Sequence, residues 1–155
     1  MRVRPAALAL TVLILSTADV RIDACDCIRL QPLSAAIRKE APFIFEGKVI
    51  EIVERNLHTL RTTSGGGSSH VTPVGREVAF EVTRVWNGVT TKRLAVSAEV
   101  SDCMFPFEID RTYVVFAWKD ATGGPATSIC TRTIESSKAA DVIAALGAAT
   151  TPVPR

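Results

Sequence analysis

The residues with the clearest chemistry are four cysteines, Cys25, Cys27, Cys103 and Cys130. An even number of cysteines in an exported domain predicts two disulfides. A bridge between Cys25 and Cys27 would close a very tight, strained ring, which leaves two arrangements that join each of them to a distant cysteine. A zinc site is the weaker interpretation, because zinc clusters usually bring their ligands in two close pairs, whereas Cys103 and Cys130 are far apart.

The spacing of the first two cysteines also predicts how they are presented. Residues two apart in an extended segment point to the same side, so Cys25 and Cys27 would both face the body of the protein. Asp26 between them would then point outward. The pattern predicts a ridge that disulfides attach to the body at both cysteines, with the exposed Asp26 side chain between them.

The histidines, the tryptophans and the net charge indicate neither an enzyme nor a nucleic-acid-binding protein. His58 and His70 are the only histidines, and no nucleophile motif or pair of acids accompanies them, so we expect neither an enzyme nor a cofactor. A net charge of +2 lacks the charge density that nucleic-acid binding requires. Trp86 and Trp118 lie in apolar strand patterns, and we predict that both pack in the core.

The N-terminal residues resemble a secretory signal peptide, predicted over residues 1–24. A basic start precedes an apolar run over residues 6–15, which is too short to span a bilayer. Cleavage is predicted after Ala18 or after Ala24, and the second position would make Cys25 the mature N-terminus. A lipid anchor on Cys25 is a third alternative. We therefore expect a secreted or periplasmic protein without a transmembrane segment.

The rest of the chain predicts five strands with flanking helices. Predicted strands cover residues 43–54, 76–86, 94–98, 113–118 and 126–131, and predicted helices cover residues 33–41 and 137–146. The change of alternation after Val82 predicts a bulge near Thr83 or Arg84. Asn87-Gly88 indicates a hairpin turn.

The connections complete the predicted organisation. Residues 56–75, rich in glycine and serine, are predicted to form a flexible surface loop between two paired strands, and residues 148–155 a disordered tail. Five short strands with a helix at each end predict a mainly β domain over residues 25–147. A small closed barrel of the OB type is the expected architecture, with a β-sandwich as the alternative.

Four segments together resemble the tissue inhibitors of metalloproteinases and the wider netrin-like module. Cys25-Asp26-Cys27 is similar to the Cys-x-Cys start of these proteins, and later landmarks are similar to residues 45–49, 113–117 and 130–133. The similarity covers most of residues 25–147 and depends on the order and spacing of the segments. It implies an OB barrel with disulfides Cys25–Cys103 and Cys27–Cys130.

The resemblance also implies a function. In the inhibitors, the first cysteine is the mature N-terminus; its amine and carbonyl chelate the catalytic zinc of the protease, and the next side chain enters the specificity pocket. Carried over, Cys25 would be the chelator, holding metal only in the protease, Asp26 the pocket residue, and Ser101 and Asp102 contacts beside Cys27 on the same binding ridge. We expect an exported, monomeric metalloprotease inhibitor. The alternative is a netrin-like module without inhibitory activity that binds a polysaccharide or protein partner at a cell surface or matrix.

Overall fold

The computed structural model describes residues 25–63, 66–99 and 101–153, without the side chains of residues 57–74 and Glu99. The predicted signal peptide and its cleavage sites lie outside these residues. Within the described part, no helix has the length and apolar character needed to cross a membrane.

The secondary structure is mainly β. Among the described residues, six strands run over Phe43–Thr63 (β1), Gly66–Asn87 (β2), Arg93–Glu99 (β3), Thr112–Lys119 (β4), Pro125–Ala126 (β5) and Ile134–Glu135 (β6). Two 3₁₀ helices cover Ala35–Lys39 and Ser136–Lys138, and one α-helix, α1, covers Ala140–Leu146. The predicted strand over residues 126–131 is much shorter than expected, since only Ala126 of that range is in a strand.

Five of the strands form a ring. β1 pairs antiparallel with both β2 and β4, and β2 pairs antiparallel with β3. The two-residue strand β5 connects the other side, parallel to β3 and antiparallel to β4. The short β6 pairs with the first half of β4. The predicted mainly β class is therefore confirmed.

The hydrophobic core has two parts because β4 is buried on both faces. Tyr113, Val115 and Ala117 point to one cluster, which is centred on Phe45 and Phe80. The alternate residues Val114 and Phe116 point to a second cluster, which packs β4 against the helices with Ile37, Ile44, Trp86, Val142 and Leu146. The continuous apolar run in the sequence is explained by this double burial.

The predicted irregularities of β2 are partly confirmed. The register passes from Glu46 opposite Arg84 to Gly47 opposite Val82, so Thr83 is the extra residue of a bulge. Gly47 has little room for a side chain, because an added Cβ would lie 3.0 Å from the carbonyl oxygen of Glu81. After Asn87 the chain turns through Gly88, whose φ is +65°, but five residues separate β2 from β3. The turn is thus longer than a two-residue hairpin.

Two predicted irregular segments are paired instead. The backbone of residues 56–63 pairs with residues 66–73, so β1 and β2 continue as a long hairpin where a loop was expected. Strand pairing gives the backbone groups of these two segments hydrogen-bond partners. The segment predicted as a disordered tail contacts β2 at Thr150, where the backbones of Val85 and Thr150 exchange two hydrogen bonds of 2.8 Å.

The first predicted helix, over residues 33–41, is a 3₁₀ helix over Ala35–Lys39 and is shorter at both ends. The Ser34 hydroxyl accepts a hydrogen bond from the Ala36 amide at 3.3 Å and caps its N-terminus. Arg38 in the last turn donates to the carbonyls of Leu146 and Ala148, which joins this helix to the end of α1. Gly147 ends α1 with a positive φ of +66°.

A partly buried ion pair links β1 to the β2 bulge. Arg84 donates to both carboxylate oxygens of Glu46, which is 7% exposed, and stacks over the Trp86 ring at 5.3 Å. Burial acts to raise the pKa of Glu46, but the hydrogen bonds and charge of Arg84, together with the Thr83 hydroxyl, outweigh it and lower that pKa. Glu46 is therefore ionised in the folded protein at neutral pH.

Replacing Arg84 with methionine is expected to lower the free energy of unfolding at pH 7 by about 2 kcal/mol. This is less than for a fully buried pair, because the Arg84 side chain is 39% exposed. In the wild type, the Glu46 contribution is complete above its unfolded pKa, near 4.5, and is lost as pH falls through the lower folded pKa. In the variant, protonation removes an unpaired buried charge, so the difference between the two proteins should shrink on acidification. Urea unfolding at pH 7 and pH 4 measures this, with Arg93→Met as the exposed control, and an equal difference at both pH values would contradict it.

Candidate interaction ridge at the N-terminal segment

Two disulfides fasten the start of the described chain to the body. Cys25 is bonded to Cys103 and Cys27 to Cys130, with Cα separations of 5.4 and 5.0 Å. This is the arrangement that the family resemblance implied. The segment from Cys25 is thereby joined to the loop after β3 and to the loop after β5.

The two disulfides lie against each other. The Cys25 sulfur is 3.5 Å from that of Cys130 and 3.9 Å from that of Cys27. All four sulfurs are in disulfides, so none is a thiolate that could bind a metal ion. Metal chelation by Cys25 would consequently use its backbone nitrogen and oxygen.

The structure brings the predicted ridge residues together. Asp26 is exposed between the two anchored cysteines, and Ser101 and Asp102, immediately before Cys103, are exposed as well. The Ser101 hydroxyl accepts from the Cys103 amide at 3.3 Å, and the Ser101 carbonyl accepts from the Met104 amide at 3.0 Å. A local turn therefore holds Ser101 and Asp102 next to the Cys25 attachment point. We call residues 25–27 with Ser101 and Asp102 the ridge.

The loop that carries Cys130 is held by buried threonine hydroxyls. Thr127 donates to the Phe116 carbonyl of β4 at 2.9 Å, and the Thr133 hydroxyl accepts from the Phe116 amide at 3.0 Å. Thr131 lies within 2.9 Å of both hydroxyls. These hydrogen bonds attach residues 130–133 to β4 and so support the loop that carries the second disulfide.

Arg132 fixes the chain that follows the ridge. Its guanidinium donates to both carboxylate oxygens of Glu40, at 2.8 and 2.9 Å, and to the Gln31 carbonyl at 2.6 Å. The Arg132 side chain is only 12% exposed, so this pairing is more constrained than a surface contact. The sequence does not predict this ion pair, because Glu40 and Arg132 are 92 residues apart and no local pattern joins them.

Exposed apolar side chains flank the ridge. Ile28 is 90% exposed, and Leu30, Trp118 and Ile129 are each more than 40% exposed. Ile28, Leu30 and Trp118 line a shallow cavity of about 340 Å³. The prediction that both tryptophans pack in the core is right for Trp86 and wrong for Trp118, which follows the buried run of β4 at the point where the strand leaves the core.

A larger cavity of about 620 Å³ also has Trp118 and Cys130 in its lining. The lining comes from β1, β3, the loop after β3, the end of β4 with the turn that follows it, and residues 126–130. It includes Arg55, Ser101, Cys103, Trp118, Lys119 and Asp120. The sequence does not predict this cavity, because its lining comes from five separate segments. Trp118 lines the cavity and is exposed, although the five residues before it in β4 are buried.

Comparison with models of protein families and with curated proteins finds no match to this chain.

Proposed function

We propose that this protein is an exported metalloprotease inhibitor whose Cys25 amine and carbonyl chelate the catalytic zinc of the protease. The observation that supports the proposal is the double anchoring of residues 25–27, which holds Cys25 in place and leaves Asp26 exposed beside Ser101 and Asp102. The proposal requires export and cleavage after Ala24, so that Cys25 becomes the N-terminus.

The chemistry follows from the properties of an α-amine. Its pKa near 8 leaves a fair fraction neutral at pH 7, with a lone pair for zinc. The nitrogen and carbonyl oxygen of one residue can reach the same ion together. Because the Cys25–Cys103 disulfide already restrains this residue, little conformational entropy is lost on binding.

The first test is the identity of the mature N-terminus, determined by intact mass and N-terminal sequencing of the protein purified from its natural export route. A protein that starts at an unmodified Cys25 is then assayed against a panel of zinc proteases. In a matched variant, one alanine precedes Cys25. This converts the amine into an amide, which has no free lone pair, and inhibition should fall by roughly 100-fold or more, about 2.7 kcal/mol.

Several outcomes would overturn the inhibitor mechanism. These are a natural start at Asp19, a lipid on Cys25, or equal inhibition by the chain with the added alanine. Unfolding midpoints of the two chains should coincide, because the added residue lies outside both disulfide loops. A shifted midpoint would show that the extension had perturbed the fold.

The alternative proposal is a netrin-like binding module without inhibitory activity. The exposed side chains of Ile28, Leu30 and Trp118 support it, because apolar residues grouped on a surface are common where proteins bind partners. This function needs no free amine and is compatible with either cleavage site. Binding that persists in the chain with the added alanine, without protease inhibition, would favour it.

A further inference from the structure

We propose that the 620 Å³ cavity beside Trp118 is a binding site for an acidic oligosaccharide, a short sugar chain that bears carboxylate or sulfate groups. The site shares Trp118 and Cys130 with the smaller cavity, and it requires neither a free N-terminus nor a protease. It deepens the alternative binding function and is independent of the inhibitor mechanism.

The cavity offers an aromatic surface for a sugar ring. Trp118 is 42% exposed, whereas the five preceding residues of β4 are all buried. The exposed indole of Trp118 is therefore available to stack against a sugar ring. The cavity volume falls within the range of roughly 300–1,000 Å³ that is usual for small-ligand sites.

The charges at the cavity favour an anion. Arg55 and Lys119 line it, and both side chains are positively charged. The third charged residue of the lining is Asp120. One of its carboxylate oxygens accepts from the Thr122 amide and hydroxyl and from the Gly124 amide, at 2.7 to 2.9 Å. Asp120 therefore stabilises its own turn, and the two cations outnumber it.

Hydroxyl groups supply the remaining polar contacts. Ser101 and Ser128 line the cavity, and each uses its oxygen to accept a backbone amide, from Cys103 and Cys130 respectively. The hydroxyl proton of each serine is then free to donate to a ligand oxygen. An indole face, two cations and hydroxyl donors together match a sugar that carries anionic groups. A neutral sugar would leave the cations unused, and an apolar ligand would leave both the cations and the hydroxyls unpaired.

The test uses the disulfide-bonded mature protein and three tetrasaccharides of equal length: one with uronic-acid carboxylates, the same chain with added sulfates, and a neutral one. Binding is measured by calorimetry and by tryptophan fluorescence. Of the two tryptophans, Trp86 is buried, so a spectral change reports mainly on Trp118. We expect the acidic probes to bind at least 10-fold more tightly than the neutral one, with an affinity that falls as salt increases. The comparison between carboxylate and sulfate probes identifies the preferred anionic group.

Variants separate this site from general charge attraction. Trp118→Ala, Arg55→Gln and Lys119→Gln should each weaken binding of the acidic probe at least 10-fold, whereas Lys92→Gln, at an exposed position outside the cavity, should leave it unchanged. Circular dichroism and unfolding midpoints show that each variant is folded. Equal losses for Lys92→Gln and Lys119→Gln would overturn the proposal, as would equal binding of neutral and acidic probes or no binding at all.

A peptide with a free C-terminal carboxylate provides a final comparison. Tighter binding of this peptide than of either acidic sugar would overturn the proposal in favour of a protein partner. The chain with alanine added before Cys25 should keep its affinity for the acidic tetrasaccharide. Loss of inhibition and loss of sugar binding are therefore separate results, each with its own variants.

Discussion

Replacing both cysteines of either disulfide with alanine is expected to lower the free energy of unfolding by about 3.5 kcal/mol. The two bridges span 78 and 103 residues, so each considered alone would make a different contribution to the free energy of unfolding. The loops overlap, however. Once one bridge is formed, the other closes a further loop of only about 30 residues, because Cys25 and Cys27 are neighbours and Cys103 and Cys130 are not far apart. The two losses should therefore be nearly equal.

Removing both disulfides should have a much larger effect. The first bridge to form restricts a loop of about 80 to 100 residues, so the total loss is about 8 kcal/mol. This is comparable with the whole stability of a typical domain, and we expect the variant without cysteines to be largely unfolded. Urea unfolding of the two paired variants and circular dichroism of the fourfold variant measure these effects. Losses that differ by more than 1.5 kcal/mol between the paired variants would contradict the overlapping-loop argument.

The strands that could be predicted are those with a strong local pattern. Val78, Phe80 and Val82 alternate with polar residues, and all three are buried. The run through Tyr113–Ala117 is apolar at every position because β4 has core on both sides. In such segments burial alone determines the structure, and a single sequence carries enough information to locate them.

The predictions failed where backbone pairing or contacts between distant residues determine the structure, because the local pattern of apolar and polar residues does not show them. Residues 56–75 have the composition of a loop, but the backbones of residues 56–63 and 66–73 pair with each other as strands. Trp118 is an apolar residue in an apolar run and was expected in the core, but it lies where β4 leaves the core. The expected disordered tail is attached through Thr150 to Val85, mainly by backbone hydrogen bonds that no local pattern indicates.

The ridge could be predicted in part because two features are local. Cys25 and Cys27 have the spacing that places both sulfurs on one side, and Asp26 is exposed between them. The contacts that hold the neighbouring chain, such as Arg132 with Glu40, connect distant positions. The large cavity likewise gathers separate segments. Its chemistry becomes visible only when the fold places Arg55, Trp118 and Lys119 together.

Asp26→Leu is expected to strengthen inhibition of zinc proteases that have an apolar specificity pocket, if Cys25 is the mature N-terminus. In the proposed complex the side chain after Cys25 enters that pocket, and an unpaired carboxylate there loses its hydration without a compensating partner. Relief of this penalty, together with the apolar contact of leucine, is worth about 3 kcal/mol, or roughly 100-fold in the inhibition constant. Asp26→Asn should give a smaller gain, because it removes the charge but keeps a polar group.

The same substitution should act in the opposite direction on proteases with a basic pocket, because the Asp26 carboxylate would there pair with a cation. The test measures inhibition constants of the wild type, Asp26→Leu and Asp26→Asn against one protease of each kind. We expect a crossed pattern, in which the substitutions strengthen inhibition of the protease with the apolar pocket and weaken inhibition of the protease with the basic pocket. Asp141→Asn, an exposed carboxylate on α1, serves as the control for net charge. Equal changes with both proteases, or changes matched by Asp141→Asn, would show that the Asp26 side chain does not enter a pocket. A crossed pattern that disappears when alanine precedes Cys25 would tie the effect of Asp26 to chelation by the neighbouring amine.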